Sequence, residues 1–335
     1  MEKKRWIAVG VAGALFLLSA ISSGIGVQET TQSQLDDLNQ MIAGSDELSE
    51  TIIEAGDTQQ KIVQLEVDGT IVAGGTSIWG EGYDHQLLLD SLDQIKEDET
   101  VKGVFLKVNS PGGGVYESAE IARKLDAIKT ERQIPIYVSM ENMAASGGYY
   151  ISAGADKIFA TEETTTGSIG VIMSGTNYSG LLEKLGIEDT TVKSGKLKDM
   201  GSSTRPETKE DHEVLQTYID RAYDRFVKIV ATGRHMSEED VRKIADGRIY
   251  DGGQAQKNGL VDELGFPDEA LAALRQDKQL ENAELISYET AGSDFARSWL
   301  GMQLKSKGQS AQLLQFLENA GSLEASKAMY LYGGE

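Results

Sequence analysis

The chain has 335 residues, of which 40% are hydrophobic and 25% charged, enough to build a large globular core. Its formal net charge is -21, a surface that repels phosphate backbones and argues against a nucleic-acid partner. It contains no Cys, which excludes disulfides, thiolate metal sites and a cysteine nucleophile.

Lys3, Lys4 and Arg5 precede a 22-residue uncharged run, Trp6–Val27. As a helix this run spans about 33 Å, enough for a bilayer core. The three positive charges on its short side predict a cytoplasmic N-terminus with the remainder outside. The competing reading is a cleaved signal peptide, because Ser19, Ala20, Ser22 and Ser23 follow the densest apolar stretch. On either reading the rest of the chain leaves the cytoplasm. The expected organisation is an N-terminal membrane anchor over residues 1–27 and a polar tether over 28–60. A catalytic domain over 61–275 and a C-terminal extension with a flexible tail over 276–335 follow.

Within the domain, Ile62–Val67 alternates as a strand does, and Gly103–Val108 is a nearly continuous apolar run, as in a strand buried on both faces. Pro135–Met140 and Lys157–Ala160 read as further strands. Helical spacing predicts helices over Asp84–Lys96, Tyr116–Lys129, Ala144–Ala153 and Glu207–Thr232, and Ser237 with Asp240 marks the start of another. Strands alternating with helices define an α/β class with parallel pairing.

Three features carry chemistry. Asn109-Ser110-Pro111-Gly112-Gly113-Gly114 joins a predicted strand to a predicted helix. Such a turn leaves backbone N–H groups bare, suited to an anion. It lacks the third glycine of a dinucleotide fingerprint and the Lys-Ser or Lys-Thr of a phosphate loop, so an oxyanion hole remains. Ser146 lies in Ala144-Ala145-Ser146-Gly147-Gly148 with only small neighbours, and the Gly147 N–H is positioned to complete that hole. A serine nucleophile needs a base. His85, His212 and His235 all read as solvated surface residues, which leaves a lysine. Spacing does not choose between Lys196 and Lys198 in Lys193-Ser194-Gly195-Lys196-Leu197-Lys198-Asp199.

These motifs, with Thr166–Ile172 (Thr-Gly-Ser-Ile-Gly-Val-Ile) and the run from Gly247 to Gly265, resemble in order the signal peptide peptidase A (protease IV) family. The resemblance covers about residues 61–273. It implies the ββα spiral of the Clp protease and crotonase superfamily, here with an N-terminal transmembrane helix. It implies Ser146 as nucleophile, Lys198 as general base, Ser168 as the hydroxyl that orients the lysine amine, and Gly113 and Gly147 as oxyanion donors. It implies cleavage of remnant signal peptides through an acyl-enzyme, with no metal or nucleotide. The chain shows no internal repeat, so it is similar to the short form, which assembles into a ring-like homo-oligomer, an octamer, with the dyad shared between protomers. A crotonase-type acyl-CoA enzyme and a non-catalytic membrane scaffold are the rival readings. The small-residue tail Ala325–Glu335 reads as a segment able to enter the groove as a self-substrate.

Overall fold

The computed structural model describes residues 48–74, 83–290 and 329–332; the expected anchor, and the tether up to residue 47, lie outside them. Among the described residues no helix is long and apolar enough to cross a membrane. In chain order the elements begin with β1 (Leu48–Glu54), β2 (Asp57–Asp68), α1 (His85–Glu97) and β3 (Val101–Ser110). The glycine-rich β4 (Gly112–Gly114) leads into α2 (Val115–Glu131), then β5 (Ile136–Ala145), α3 (Gly147–Ser152), β6 (Lys157–Ala160) and β7 (Thr165–Gly167). There follow α4 (Ser179–Lys184), α5 (Lys209–Gly233), α6 (Glu238–Ile244), β8 (Ile249–Asp251) and α7 (Gly252–Lys257). The last are β9 (Glu263–Leu264), α8 (Pro267–Lys278), β10 (Ala283–Thr290) and β11 (Met329–Leu331).

The main sheet has the order β1-β10-β2-β3-β5-β6-β9, and every pair from β10 to β9 is parallel. The strands are buried on both faces because their residues alternate between two cores. Val104, Leu106, Val108, Val138, Met140 and Ile158 meet Leu92 and Ile95 of α1, Ile121 and Leu125 of α2 and Phe226 of α5. Phe105, Tyr137 and Phe159 point the other way, onto Ala270, Leu271 and Leu274 of α8. Burying each large side chain stabilises the fold by about 1.5–3 kcal/mol. The predicted helix starts are met by side-chain caps: Asp84 accepts from Leu87 N (3.0 Å) and Ser237 from Asp240 N (3.0 Å).

Two boundaries differ from expectation. Ala144 and Ala145 were expected to open a helix but complete β5, because β7 pairs alongside through Met143–Thr165, Ala144–Thr166 and Ala145–Gly167. Tertiary pairing here overrides the helix preference of alanine. The sheet also takes in residues on both sides of 61–275. β1 and the start of β2 lie within the stretch read as tether, and β10 pairs with β2 from within the C-terminal extension.

Candidate active site

Ser146 is the single residue that turns the chain from β5 into α3. Its backbone sits at φ 54° and ψ -114°, a conformation that costs a non-glycine residue about 1–3 kcal/mol and survives only where its surroundings impose it. Here the Ser146 N–H donates to Gly167 O (2.8 Å) and the Ser146 carbonyl accepts from Tyr150 N (2.8 Å). The side chain does not cap α3, the structural task that a serine at a helix start usually performs. Among the described residues the Ser146 hydroxyl has no hydrogen-bond partner. Ser146 borders a cavity of about 590 Å³, shared with Ser168, Ile172, Asp246 and the tail residues Leu331 and Tyr332. Ser168 directly follows β7, has φ 48° and is held by its N–H to Arg248 O (2.8 Å).

The glycines have a steric purpose that small size alone did not reveal. A Cβ on Gly113 would lie 1.9 Å from Ile71 O, and one on Gly147 would lie 2.7 Å from Ser118 Oγ and 3.0 Å from Gly113 N. A Cβ on Gly148 would lie 2.8 Å from Ser110 O. Gly112 has φ 100°, and its Cβ would lie 2.0 Å from Tyr330 O and 2.5 Å from Gly147 N. Only glycine allows the turn and the first residues of α3 to interlock, and the interlock brings the Gly113 and Gly147 amides to the same spot.

That spot is occupied by the protein's own tail. β11 pairs antiparallel with β4, Tyr330 facing Gly113, while on its other edge Met329 and Ile172 exchange two hydrogen bonds (2.9 and 3.0 Å). Tyr332 N–H donates to Pro111 O (2.8 Å). Hydrogen-bonded pairs recur every second residue in an antiparallel ladder, so Tyr330 and Gly113 form the next one. The Gly113 N–H therefore points at the Tyr330 carbonyl, whose oxygen also lies beside Gly147 N across the bare Cα of Gly112. The Tyr330 side chain is fully buried, stacked on Tyr150 (4.8 Å between ring centroids) and packed on Phe226 (4.7 Å), and its hydroxyl donates to Ala222 O (3.0 Å). Of the groove walls, Ile172 ends the Thr166–Ile172 motif, whereas Ile71 carries no sequence signal of its own.

Among the described residues no lysine lines the Ser146 cavity. Lys196 and Lys198 lie in the turns between α4 and α5 and do not line the Ser146 cavity. Lys193 pairs with Asp199 (2.6 Å) and Lys196 with Glu210, whose hydrogen bond pushes the Lys196 amine upward. The Lys196 charge is therefore matched by Glu210 on the surface. The Lys198 side chain is exposed and has no hydrogen bond or ion pair among the described residues. Of the histidines, His212 and His235 are exposed, but His85 is buried between the Tyr83 hydroxyl and Glu120 (3.3 Å), away from the Ser146 cavity.

An unpartnered serine on a strand-to-helix elbow, in a cavity shared with the tail residues that follow a carbonyl held at two glycine amides, is the arrangement of a serine hydrolase built on a mixed α/β fold. The family model described as Peptidase family S49 matches residues 128–281. Over 344 residues, covering 100% of both chains, the sequence is 51% identical to a protein of Enterococcus faecium named "Putative signal peptide peptidase SppA". It is 30% identical over 221 residues to the chloroplastic serine protease SPPA of Arabidopsis thaliana, covering 65% of this chain and 32% of that one. Among solved structures, a ClpP1 mutant from Listeria monocytogenes matches with a TM-score of 0.39 and 18% identity, covering 64% of this chain and 95% of that one. The chain belongs to peptidase family S49, the signal peptide peptidase A family of serine proteases.

Proposed function

We propose that this protein is a membrane-anchored endopeptidase that degrades remnant signal peptides outside the cytoplasm, with Ser146 as nucleophile and Lys198 as general base. The observation that carries the reading is the tail strand: a peptide carbonyl, that of Tyr330, is presented to the Gly113 and Gly147 amides, and the tail residues that follow it line the same cavity as the unpartnered Ser146. Substrates bind in the same way, as an extended strand between β4 and Ile172, which demands an unfolded peptide and buries the side chain of the residue whose carbonyl is held, as Tyr330 is buried here. Neutral Lys198, oriented by the Ser168 hydroxyl, takes the Ser146 proton as Oγ attacks the carbonyl carbon. The two amides hold the oxyanion, and Lys198 returns the proton to the leaving amine. Water deprotonated by Lys198 then releases the acid from the acyl-enzyme. The uncharged run Trp6–Val27 supplies the anchor, on the Clp and crotonase-type spiral that the family shares.

A lysine base must be neutral, which requires burial. Lys198 is exposed in the single chain, on a segment that also exposes Leu181, Leu185, Ile187 and Val192. A second copy covering this surface supplies the burial and carries Lys198 to a neighbour's Ser146, consistent with a closed ring of about eight protomers. On this reading Lys198→Ala abolishes hydrolysis of a signal-peptide substrate while Lys196→Ala keeps it. A fully active Lys198→Ala enzyme would sink the assignment. The tail is then a self-substrate: mass spectrometry of wild type after long incubation shows loss of the residues beyond Tyr330, and an intact C-terminus equal to that of Ser146→Ala contradicts it.

A further inference from the structure

The segment that presents Lys198 is not a loose loop. Asp199, its immediate neighbour, is held from two sides: by Lys193 Nζ, at 2.6 Å from both carboxylate oxygens, and by Arg205 NH2, at 2.9 Å from Oδ1 and 3.3 Å from the Asp199 carbonyl. The same guanidinium grips Asp211 with both ends, NH1 to Oδ2 at 2.6 Å and NH2 to Oδ1 at 3.1 Å. Asp211 is 1% exposed and is itself fixed to the first turn of α5. It accepts from Thr208 N (2.9 Å) and Thr208 Oγ1 (2.8 Å), and its N–H donates to Thr208 Oγ1 (3.1 Å). α5 is anchored in turn through Phe226, Val227 and Val230 in the main core. A continuous chain of contacts therefore runs from the core, through α5 and Asp211, to Arg205, Asp199 and the backbone of Lys198. The other two lysines of the segment are tied to carboxylates, which leaves only the Lys198 amine without a partner among the described residues.

We propose that Arg205, bridging Asp199 to Asp211, is a positioning residue that holds the Lys198 segment in the conformation in which its amine is delivered to Ser146. This rests on the reading of Lys198 as the base. The physical case is geometric. A planar guanidinium bonded at two edges fixes the separation and orientation of two carboxylates, which a single ammonium cannot do. A general base displaced by about 1 Å loses on the order of 10²-fold in rate. The Arg205 guanidinium, together with Lys193 on Asp199 and the Thr208 hydrogen bonds on Asp211, holds both carboxyls well below the usual carboxylate range, Asp199 at about 2. The folded-state values are depressed, so the clamp is fully formed above the ordinary carboxyl range and is lost only as pH falls through these low values. It stays intact wherever a neutral lysine can work.

The test uses the full-length enzyme and four variants: Arg205→Ala, Arg205→Lys, Asp199→Asn and Lys198→Ala. Steady-state peptide hydrolysis is followed across pH, and oligomer size and melting temperature are checked in parallel. Arg205→Ala is expected to lower kcat by about 10²-fold with KM nearly unchanged, because the peptide is held by β4 and Ile172, not by this segment. The acid limb of its kcat profile moves to higher pH, since a mispositioned amine is less shielded from water. Arg205→Lys gives no rescue. Asp199→Asn shows the same pattern in weaker form, and it decides the matter if Arg205→Ala does not assemble. An Arg205→Ala or Asp199→Asn enzyme of normal size, with kcat within about twofold of wild type and an unmoved acid limb, overturns the positioning role; so does full rescue by Arg205→Lys. A fully active Lys198→Ala enzyme removes the base itself, an outcome distinct from loss of the clamp alone.

Discussion

Ser146→Gly is expected to be a more stable protein than wild type and an inactive one. At φ 54° and ψ -114°, Ser146 is in a region open to glycine and costly to any residue with a Cβ. Replacing it relieves about 1 kcal/mol or more of strain, which for a domain of this size raises the melting temperature by about 2–4 °C. Ser146→Ala keeps the Cβ and hence the strain, so its melting temperature stays near that of wild type. Both substitutions remove the Ser146 hydroxyl and, with Ser146 as the proposed nucleophile, should lower kcat by about 10⁴-fold or more. A structural serine gives the opposite pattern, with retained turnover and lost stability. Thermal unfolding and hydrolysis of one peptide substrate, measured on both variants, separate the two cases.

The second large effect lies in mixtures. Ser146→Ala and Lys198→Ala should each be inactive alone, yet recover activity when they assemble together. In a ring whose sites take Ser146 from one protomer and Lys198 from the next, random pairing at equal amounts leaves about one quarter of the sites with both groups. Turnover per site should therefore reach roughly a quarter of the wild-type level. The motive is the position of Lys198: exposed, unpaired among the described residues and absent from the lining of the Ser146 cavity. Co-assembled rings with no turnover above either parent would mean that the two groups meet within one chain.

Much of the fold was legible in the sequence where physical demands are local. Gly103–Val108 reads as a doubly buried strand because its alternate residues serve two cores. Ser237 and Asp240 mark a helix start because the cap is a contact between near neighbours. The boundary at Ala144 was not legible, because a strand distant in sequence decides it. The site was half legible. Asn109–Gly114 and Ala144–Gly148 pointed to an anion-binding turn and a serine, but not to the interlock that makes Gly112, Gly113, Gly147 and Gly148 indispensable. The choice of Lys198 over Lys196 came from family resemblance; the structure adds the physical contrast, since Glu210 occupies Lys196 and nothing described occupies Lys198. The tail reads as able to enter the groove, and Met329–Leu331 does lie along β4; its pairing register there, more than two hundred residues away in sequence, was not legible.

In the proposed mechanism Ser146 attacks because Lys198 removes its proton. The most direct measurement is covalent labelling with a serine-directed acylating probe, mapped by peptide mass spectrometry on wild-type and Lys198→Ala oligomers. One acylated residue is expected in wild type, Ser146, with loss of that label in Lys198→Ala at unchanged oligomer size. Labelling at another residue, or undiminished labelling of Ser146 without Lys198, would contradict it.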